Sequence, residues 1–531
     1  MSMEPTDADS AFVLGLDGVP WYLVEEWVGD GHLPNFARLV EDGAAGPLRS
    51  TMPPTTALAW PTIATGTWPD KHGVYCFRGL RSDYTKRMNT SNDVSRPELW
   101  DVLSPSVVAN VPMTYPADEI DGELVTGMMT PEIGEGFTHP PELREEIETR
   151  IPDYRVSLSW DEYRDDPEGF REDLSGLVST RRRLLDLLAE TDDWRLFFFV
   201  FTAPDRLQHL LWDEDVLLDH YRELDDALGD VLDRVEQRGA NLFVVSDHGF
   251  APIDTFVHTN TFLEREGYLE RKGGSGRGAL ERLGLTKERV KDAIDAVGID
   301  QRTVYDHLPD SLVESVAEQV PGSHELYDVD FSETVAFTHG EGNLYINDTE
   351  RFEEGTVTPD EVPAVKAEIR ERLEGLTDPK TGDPVLRVRD GDEVFETDDE
   401  SPDLVVRGHK DREGGYLVAN SLTDDIFRDG EMSASHREEG VFLAWGPSVE
   451  SGSTPEDAAV VDVAPTVLHS VGEPVPEDAD GRVLSEVFDA RSAAATRRVT
   501  ERAYSESGPD DAVEADFDDV ESRLQGLGYM E

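Results

Sequence analysis

AFVLGLDGV, residues 11–19, is the stretch from which the fold is read. A short run without charge stops abruptly at Asp17-Gly18. Such a run, apolar without alternation, predicts a strand buried on both faces in a parallel sheet, here with a carboxylate at its C-terminal end. Two more stretches repeat the pattern: LFFFVFTAPD at 196–205 and NLFVVSDHG at 241–249. A fourth strand is predicted at Gly440–Ala444, ahead of Trp445-Gly446-Pro447. Helical periodicity covers Trp21–Asp42, Ser179–Glu190 and Trp212–Arg238. Strands alternating with helices predict an α/β sheet with helices on both faces. In such sheets the working groups gather beyond the carboxyl ends of the strands. Asp17, Asp205 and Asp247-His248 all stand at or just after such ends.

The chain has 531 residues, with 113 Asp and Glu against 48 Lys and Arg, and a net charge of −65. At about 150 residues per domain the length allows three or four units, or fewer in a large α/β enzyme. Only 8 of the basic residues are lysine. So acidic a chain repels itself at low ionic strength, and molar salt, with a screening length of about 3 Å, removes most of that repulsion. The composition resembles that of a salt-in halophile. It argues against a nucleic-acid polymer or an anionic membrane as a standing partner. The single cysteine, Cys76, excludes a disulfide framework and a multi-cysteine metal site. MSMEPTDADS carries no basic and apolar leader pattern, and Leu196–Phe201 is far shorter than the roughly 18 residues of a membrane helix. A cytoplasmic protein is expected.

Five islands carry side chains for metal and phosphoryl chemistry. The first is LGLDGV with Asp17. The second, TMPPTTALAWPTIATG at 51–66, puts hydroxyls just before a helical segment of small residues. A helix N-terminus favours a phosphate beside such a threonine, although an N-cap hydroxyl looks the same in sequence. The third is TAPDRLQH, where a helix would set Asp205 and His209 one turn apart on one face. The fourth is VVSDHGF, with Asp247 and His248, and the fifth SASHREEG, with His436. Taken singly, these are also the marks of a helix cap, a surface ion pair or a loop histidine. Hard oxygen and nitrogen donors without thiols suit a two-metal phosphoryl-transfer site.

In this order and spacing the islands resemble the type I phosphodiesterase/nucleotide pyrophosphatase branch of the alkaline phosphatase superfamily, in a haloarchaeal-type form. LGLDGV, PPTTALAWPTIATGTWPDKHGV, APDRLQH, VVSDHGF and SHREEGVFLAWGP carry the likeness, joined by DVAPTVLHSVGEPVPEDADGRVL and the terminal LQGLGYM. The resemblance implies an alkaline-phosphatase-like three-layer sandwich, with a mostly parallel sheet and a cap insertion. It divides the chain into a discontinuous core at 1–257 and 333–490, a cap at 258–332, and an acidic tail with a terminal helix at 491–531. Within this scheme, Thr377–Asp403 reads as a surface excursion and Val520–Met530 as a segment able to dock on the body.

By resemblance Thr56 is the nucleophile, ten residues before Gly66, with Thr55 as the alternative register. Asp17, Asp247 and His248, joined by the Thr56 oxygen, would hold one divalent metal, and Asp205, His209 and His436 the other. Zinc is expected and manganese is the alternative. The implied activity is hydrolysis of a phosphodiester or phosphoanhydride in a small nucleotide-like substrate, through a phospho-threonine. The competing readings are a phosphomonoesterase or phosphonate hydrolase at the same site, and a metal-binding regulatory protein without turnover. Ala-Leu-Ala-Trp after Thr56 speaks against a sulfatase, which needs Cys/Ser-x-Pro-x-Arg. Where the animal enzymes carry a phosphoryl-binding Asn, this chain has Ala59. His72, His258, His339, Trp60 and Cys76 are expected to be structural.

Overall fold

The computed structural model describes residues 8–158, 163, 166–272, 326, 328–395, 401–410, 414–429, 433–504 and 517–526. Its centre is an eight-stranded sheet. In spatial order the strands are Ala44–Arg49, Glu439–Trp445, Asn241–Val245, Ala11–Leu16, Leu196–Phe201, Ser106–Ala109, Gly122–Val125 and Thr138–His139. The strands from Asn241–Val245 to Gly122–Val125 are mutually parallel, with Ala11 opposite both Asn241 and Leu196. The predicted strand at Gly440–Ala444 lies within Glu439–Trp445, but it runs antiparallel to both neighbours. The chain reaches it from Ala434–Arg437, at the carboxyl edge of the parallel strands, and can only run back from there.

Alternate residues of each central strand feed opposite faces, as the pleat requires. Phe12, Leu14, Leu16, Phe197, Phe199 and Phe201 pack into one core, under helices Trp21–Gly29, Pro34–Asp42, Pro167–Leu188 and Glu214–Arg238. Ala11, Val13, Phe198 and Val200 pack into the other, with Trp60 and Ile63 of helix Thr56–Thr65 and Val463 and Val467 of helix Val463–Ser470. The result is a three-layer sandwich. The helical pattern at Trp21–Asp42 is two helices rather than one, because Gly31 takes a φ of 77° and Pro34 opens a new helix.

A second sheet lies apart from the first, in the antiparallel order Ala336–His339, Asn343–Ile346, Leu404–Gly408, Leu386–Asp390. With helix Val362–Glu374 it encloses its own apolar cluster, including Phe337, Leu344, Ile369, Leu386 and Val406. Part of Thr377–Asp403 is thus not a surface excursion: Val385, Leu386 and Val388 are buried, and alternation over Leu386–Asp390 builds an edge strand. The expected cap at 258–332 lies in large part outside the described residues. Of it, helix Thr259–Glu266 packs Phe262 and Leu263 into the second cluster. Among the described residues no helix is long and apolar enough to cross a membrane. Near the C-terminus, helix Asp518–Gly526 docks on the body through Val520 and Leu524.

Candidate active site

Three adjacent parallel strands end side by side, and each hands one acid to the same spot. Ala11–Leu16 ends at Asp17, Asn241–Val245 leads to Asp247-His248, and Leu196–Phe201 leads to helix Ala203–Leu210, which carries Asp205 in its first turn and His209 in its last. Register alone makes these neighbours. Two glycines permit the approach. A Cβ on Gly15 would stand 2.4 Å from the Trp60 ring. Gly18 takes a φ of 74° and passes 3.1 Å from the Asp205 Cα, measured from a built Cβ, while its N–H donates to Asp247 Oδ1 at 3.1 Å. The pair of strands Gly249–Pro252 and Ala434–Arg437, with Phe250 opposite His436, brings in the distant histidine. Thr55 precedes helix Thr56–Thr65, so Thr56 sits in its first turn, fully buried.

Asp17, Thr56, Asp205, His209, Asp247, His248 and His436 converge in one buried cluster with two halves. In one half, His248 Nε2 lies 3.2 Å from Thr56 Oγ1, 3.2 Å from Asp247 Oδ2 and 3.7 Å from Asp17 Oδ1. In the other, Asp205 Oδ1 stands 3.4 Å from both His209 Nε2 and His436 Nε2. The halves touch where the His248 and His436 rings stack with centroids 3.9 Å apart. Phe250 sets its ring edge-on to His209 and His436.

Hydrogen bonds fix which nitrogens face inward. His248 Nδ1 is 3.2 Å from the Gly249 carbonyl and His436 Nδ1 is 3.1 Å from the Pro54 carbonyl. Each Nδ1 therefore carries a proton, and each Nε2 turns toward the acids. His209 Nε2 and His436 Nε2 meet at 2.9 Å, a contact that requires a proton or a cation between them.

The electrostatics describe a site short of positive charge. Burial, then the charges of Asp247 and Asp205, pushes Asp17 well above the usual carboxylate range. Burial also pushes Asp247 up to about 7. Burial works against a charge on His436, yet Glu341 and Asp205 raise it to about 9. Burial works against ionised Asp205 too, but His209 and His436 hold it well below the usual range. Asp17 Oδ1 and Oδ2, Asp205 Oδ1 and Asp247 Oδ2 are buried without a well-formed hydrogen bond. Buried carboxylate oxygens without donors are costly unless a cation compensates them. Two groups of Asp and His donors, each within 4.8 Å of one another, fit divalent metal ions.

The histidines expected to be structural serve elsewhere. His72 bonds Thr62, His258 meets Ser421, and His339 meets the Arg78 carbonyl, while Cys76 donates to the same carbonyl. Trp60 is core, fully buried. Three side chains at the site were not singled out from the sequence: Glu341, Arg407 and Lys410, which reach it from the second sheet. The one signal for them is a carboxylate in the Gly340-Glu341-Gly342 turn between two apolar strands.

A family model described as type I phosphodiesterase / nucleotide pyrophosphatase matches residues 11–436. Among solved structures, an inactive variant of murine ectonucleotide pyrophosphatase/phosphodiesterase 5 in complex with AMP is similar, with a TM-score of 0.50 and 13% identity, over 91% of this chain and 100% of that one. The human ectonucleotide pyrophosphatase/phosphodiesterase 5 gives a TM-score of 0.50 and 11% identity, over 90% and 100%. At these identities the likeness is one of fold, and the fold is alkaline-phosphatase-like. A search among curated proteins gives no match. The chain belongs to the type I phosphodiesterase/nucleotide pyrophosphatase family, a family of phosphoric ester hydrolases in the alkaline phosphatase superfamily.

Proposed function

We propose that this protein is a two-metal hydrolase of phosphodiester or phosphoanhydride bonds that works through a covalent phospho-threonine on Thr56. The observation that carries the reading is the pair of buried Asp/His groups, one of them beside the Thr56 hydroxyl, with carboxylate oxygens that lack a well-formed hydrogen bond. Asp17, Asp247, His248 and Thr56 would hold one ion, and Asp205, His209 and His436 the other. Zinc suits the mixed donors and manganese is the second choice. Bound there, the ions supply Lewis acidity that favours the ionised Thr56 hydroxyl and balances charge on the phosphoryl oxygens.

Thr56 Oγ1 bonds to phosphorus as the bond to the leaving oxygen breaks, and the departing group takes up a proton. Water then attacks the same phosphorus, the bond to Oγ1 breaks, and the hydroxyl is restored. Two in-line displacements give net retention at phosphorus. The start of helix Thr56–Thr65 faces the substrate with the positive end of its dipole, which favours a phosphoryl group. Ala59 offers no side-chain donor, so backbone N–H groups of that first turn take the role of the missing Asn. Phe250 and the fixed Nδ1 protons keep the imidazoles oriented.

The AMP bound by the murine fold neighbour makes a nucleotide-like ester the first substrate to try. We read the acidic surplus as adaptation to a salt-rich cytoplasm, so the assay is run in molar KCl with Zn²⁺ or Mn²⁺. Bis-p-nitrophenyl phosphate, p-nitrophenyl phosphate and the p-nitrophenyl ester of TMP are compared for wild type and Thr56→Ala. Faster diester cleavage, abolished by the substitution, is expected. Faster monoester cleavage would move the protein to the phosphatase reading, and activity surviving Thr56→Ala would overturn the mechanism.

A further inference from the structure

The turn between strands Ala336–His339 and Asn343–Ile346 carries Glu341 from the second sheet to the site. Gly342 takes a φ of 86°, and a Cβ there would stand 2.2 Å from the Val406 carbonyl oxygen, so the turn is pressed against the strand that bears Arg407. Glu341 Oε2 lies 3.6 Å from His436 Nδ1. The Thr55 side chain, next to Thr56, lies beside the same carboxylate. Arg407 stands behind it, 3.8 Å from Oε2, and donates to the Glu341 carbonyl at 3.3 Å. Lys410 Nζ donates to the His436 backbone carbonyl at 3.1 Å. Residues of the second sheet therefore meet His436 at its ring and at its backbone.

A histidine ligand depends on what its outer N–H meets, because that partner sets the ring's orientation and its basicity. At His436 the outer N–H has the Pro54 carbonyl at 3.1 Å, with the Glu341 carboxylate flanking the same nitrogen. Pro54 directly precedes Thr55, whose side chain lies beside Glu341. We propose that Glu341 is a positioning residue: it holds the His436 ring with Nε2 toward Asp205 and His209, and so makes the second sheet a required part of one metal site. The proposal rests on His436 being a metal ligand, as in the reading above.

The test is Zn²⁺ binding to the metal-stripped full-length protein, by competition with a chromophoric chelator, for wild type, Glu341→Ala, Glu341→Gln and His436→Ala. Circular dichroism checks the fold of each. Glu341→Ala should weaken one of two sites on the order of 10- to 100-fold and leave the other unchanged. Glu341→Gln keeps the shape, removes the charge, and should weaken the same site to a smaller extent. Excess Zn²⁺ should restore turnover in both variants, as a displaced ligand predicts and a damaged fold does not. Wild-type affinity at both sites in Glu341→Gln and in any folded Glu341→Ala overturns the proposal. If His436→Ala loses a site while the Glu341 variants do not, only the positioning role fails. If His436→Ala also binds as wild type, the ligand assignment falls and the positioning role with it.

Discussion

His72 shows how closely the fold specifies one protonation state. The Val74 N–H donates to His72 Nδ1 at 3.2 Å. The Thr62 hydroxyl gives its proton to the Leu58 carbonyl at 2.8 Å, so His72 Nε2 must donate to Thr62, 3.0 Å away. The ring is therefore neutral, with no acceptor free for a second proton, and burial followed by the nearby Arg96 charge lowers it to about 3. In the unfolded chain the ring titrates near 6.5, so below that pH the unfolded state takes up a proton that the folded state refuses. The stability His72 contributes is complete above about pH 6.5 and is lost as pH falls toward 3. Urea unfolding of the metal-free protein in high salt should show His72→Gln less stable near neutrality by about 1–3 kcal/mol, with a flatter acid limb between those pH values. Parallel acid limbs in the two proteins would contradict this account. Gly15 is fixed by shape rather than charge. A Cβ would meet the Trp60 ring at 2.4 Å and Val200 Cγ2 at 2.7 Å, so Gly15→Ala should cost about 1–3 kcal/mol by overpacking and push the Asp17 strand out of register with the site. A loss of stability without any loss of turnover would show that the strand end is more tolerant than this.

Helix Asp518–Gly526 makes the same point for an element. Val520 and Leu524, one turn apart, enter a cluster with Ala57, Leu58, Met113 and Met129, directly behind Thr56. Arg523 ties the helix down through the Thr130 carbonyl at 2.9 Å. Leu524→Ala should lower unfolding stability by about 2–5 kcal/mol, and the loosened support should reduce kcat more than metal content. Equal unfolding midpoints in urea would show that the helix adds nothing to the body. Its apolar spacing was visible in the sequence, as were the buried strands ending in Asp17 and leading into Asp205 and Asp247, because continuous apolar runs have few other uses. The direction of Glu439–Trp445 was not visible, since an antiparallel strand buried on both faces reads as the same apolar run. Nor was the edge strand Leu386–Asp390, whose alternate residues Arg387 and Arg389 are exposed and make the segment read as a loop. The candidate site divided the same way. Residues at strand ends carry a local signature, but Glu341, Arg407 and Lys410 come to His436 only through the long-range fold of the chain, which brings a turn and a strand end of the second sheet to the site.

Across the whole molecule, charge is the dominant unsolved cost at low salt. Surface pairs such as Arg150 with Glu146 at 3.1 Å and Arg482 with Glu486 at 2.8 Å are each worth about 0–1 kcal/mol, and no arrangement of them can cancel a net charge of −65. The surplus repels itself in the compact state and is relieved by unfolding, which spreads it out. Stability should therefore climb steeply as KCl rises from about 0.01 M to about 1 M, where the screening length falls from about 30 Å to about 3 Å. Above that, further gain must come from salt exclusion at the surface rather than from screening, and sucrose at low salt should supply that second component but not the first. Thermal unfolding across the KCl series, with and without sucrose, separates the two. The buried Asp/His cluster should behave differently from the surface, because Asp17, Asp205, Asp247 and their histidines are buried and, on the reading proposed above, would take up a cation there. Zn²⁺ should then raise the unfolding temperature by an increment that survives at high KCl, where surface repulsion is already screened. If that increment vanished as salt rose, the ions would be neutralising the acidic surface, and the buried carboxylates would not be their site.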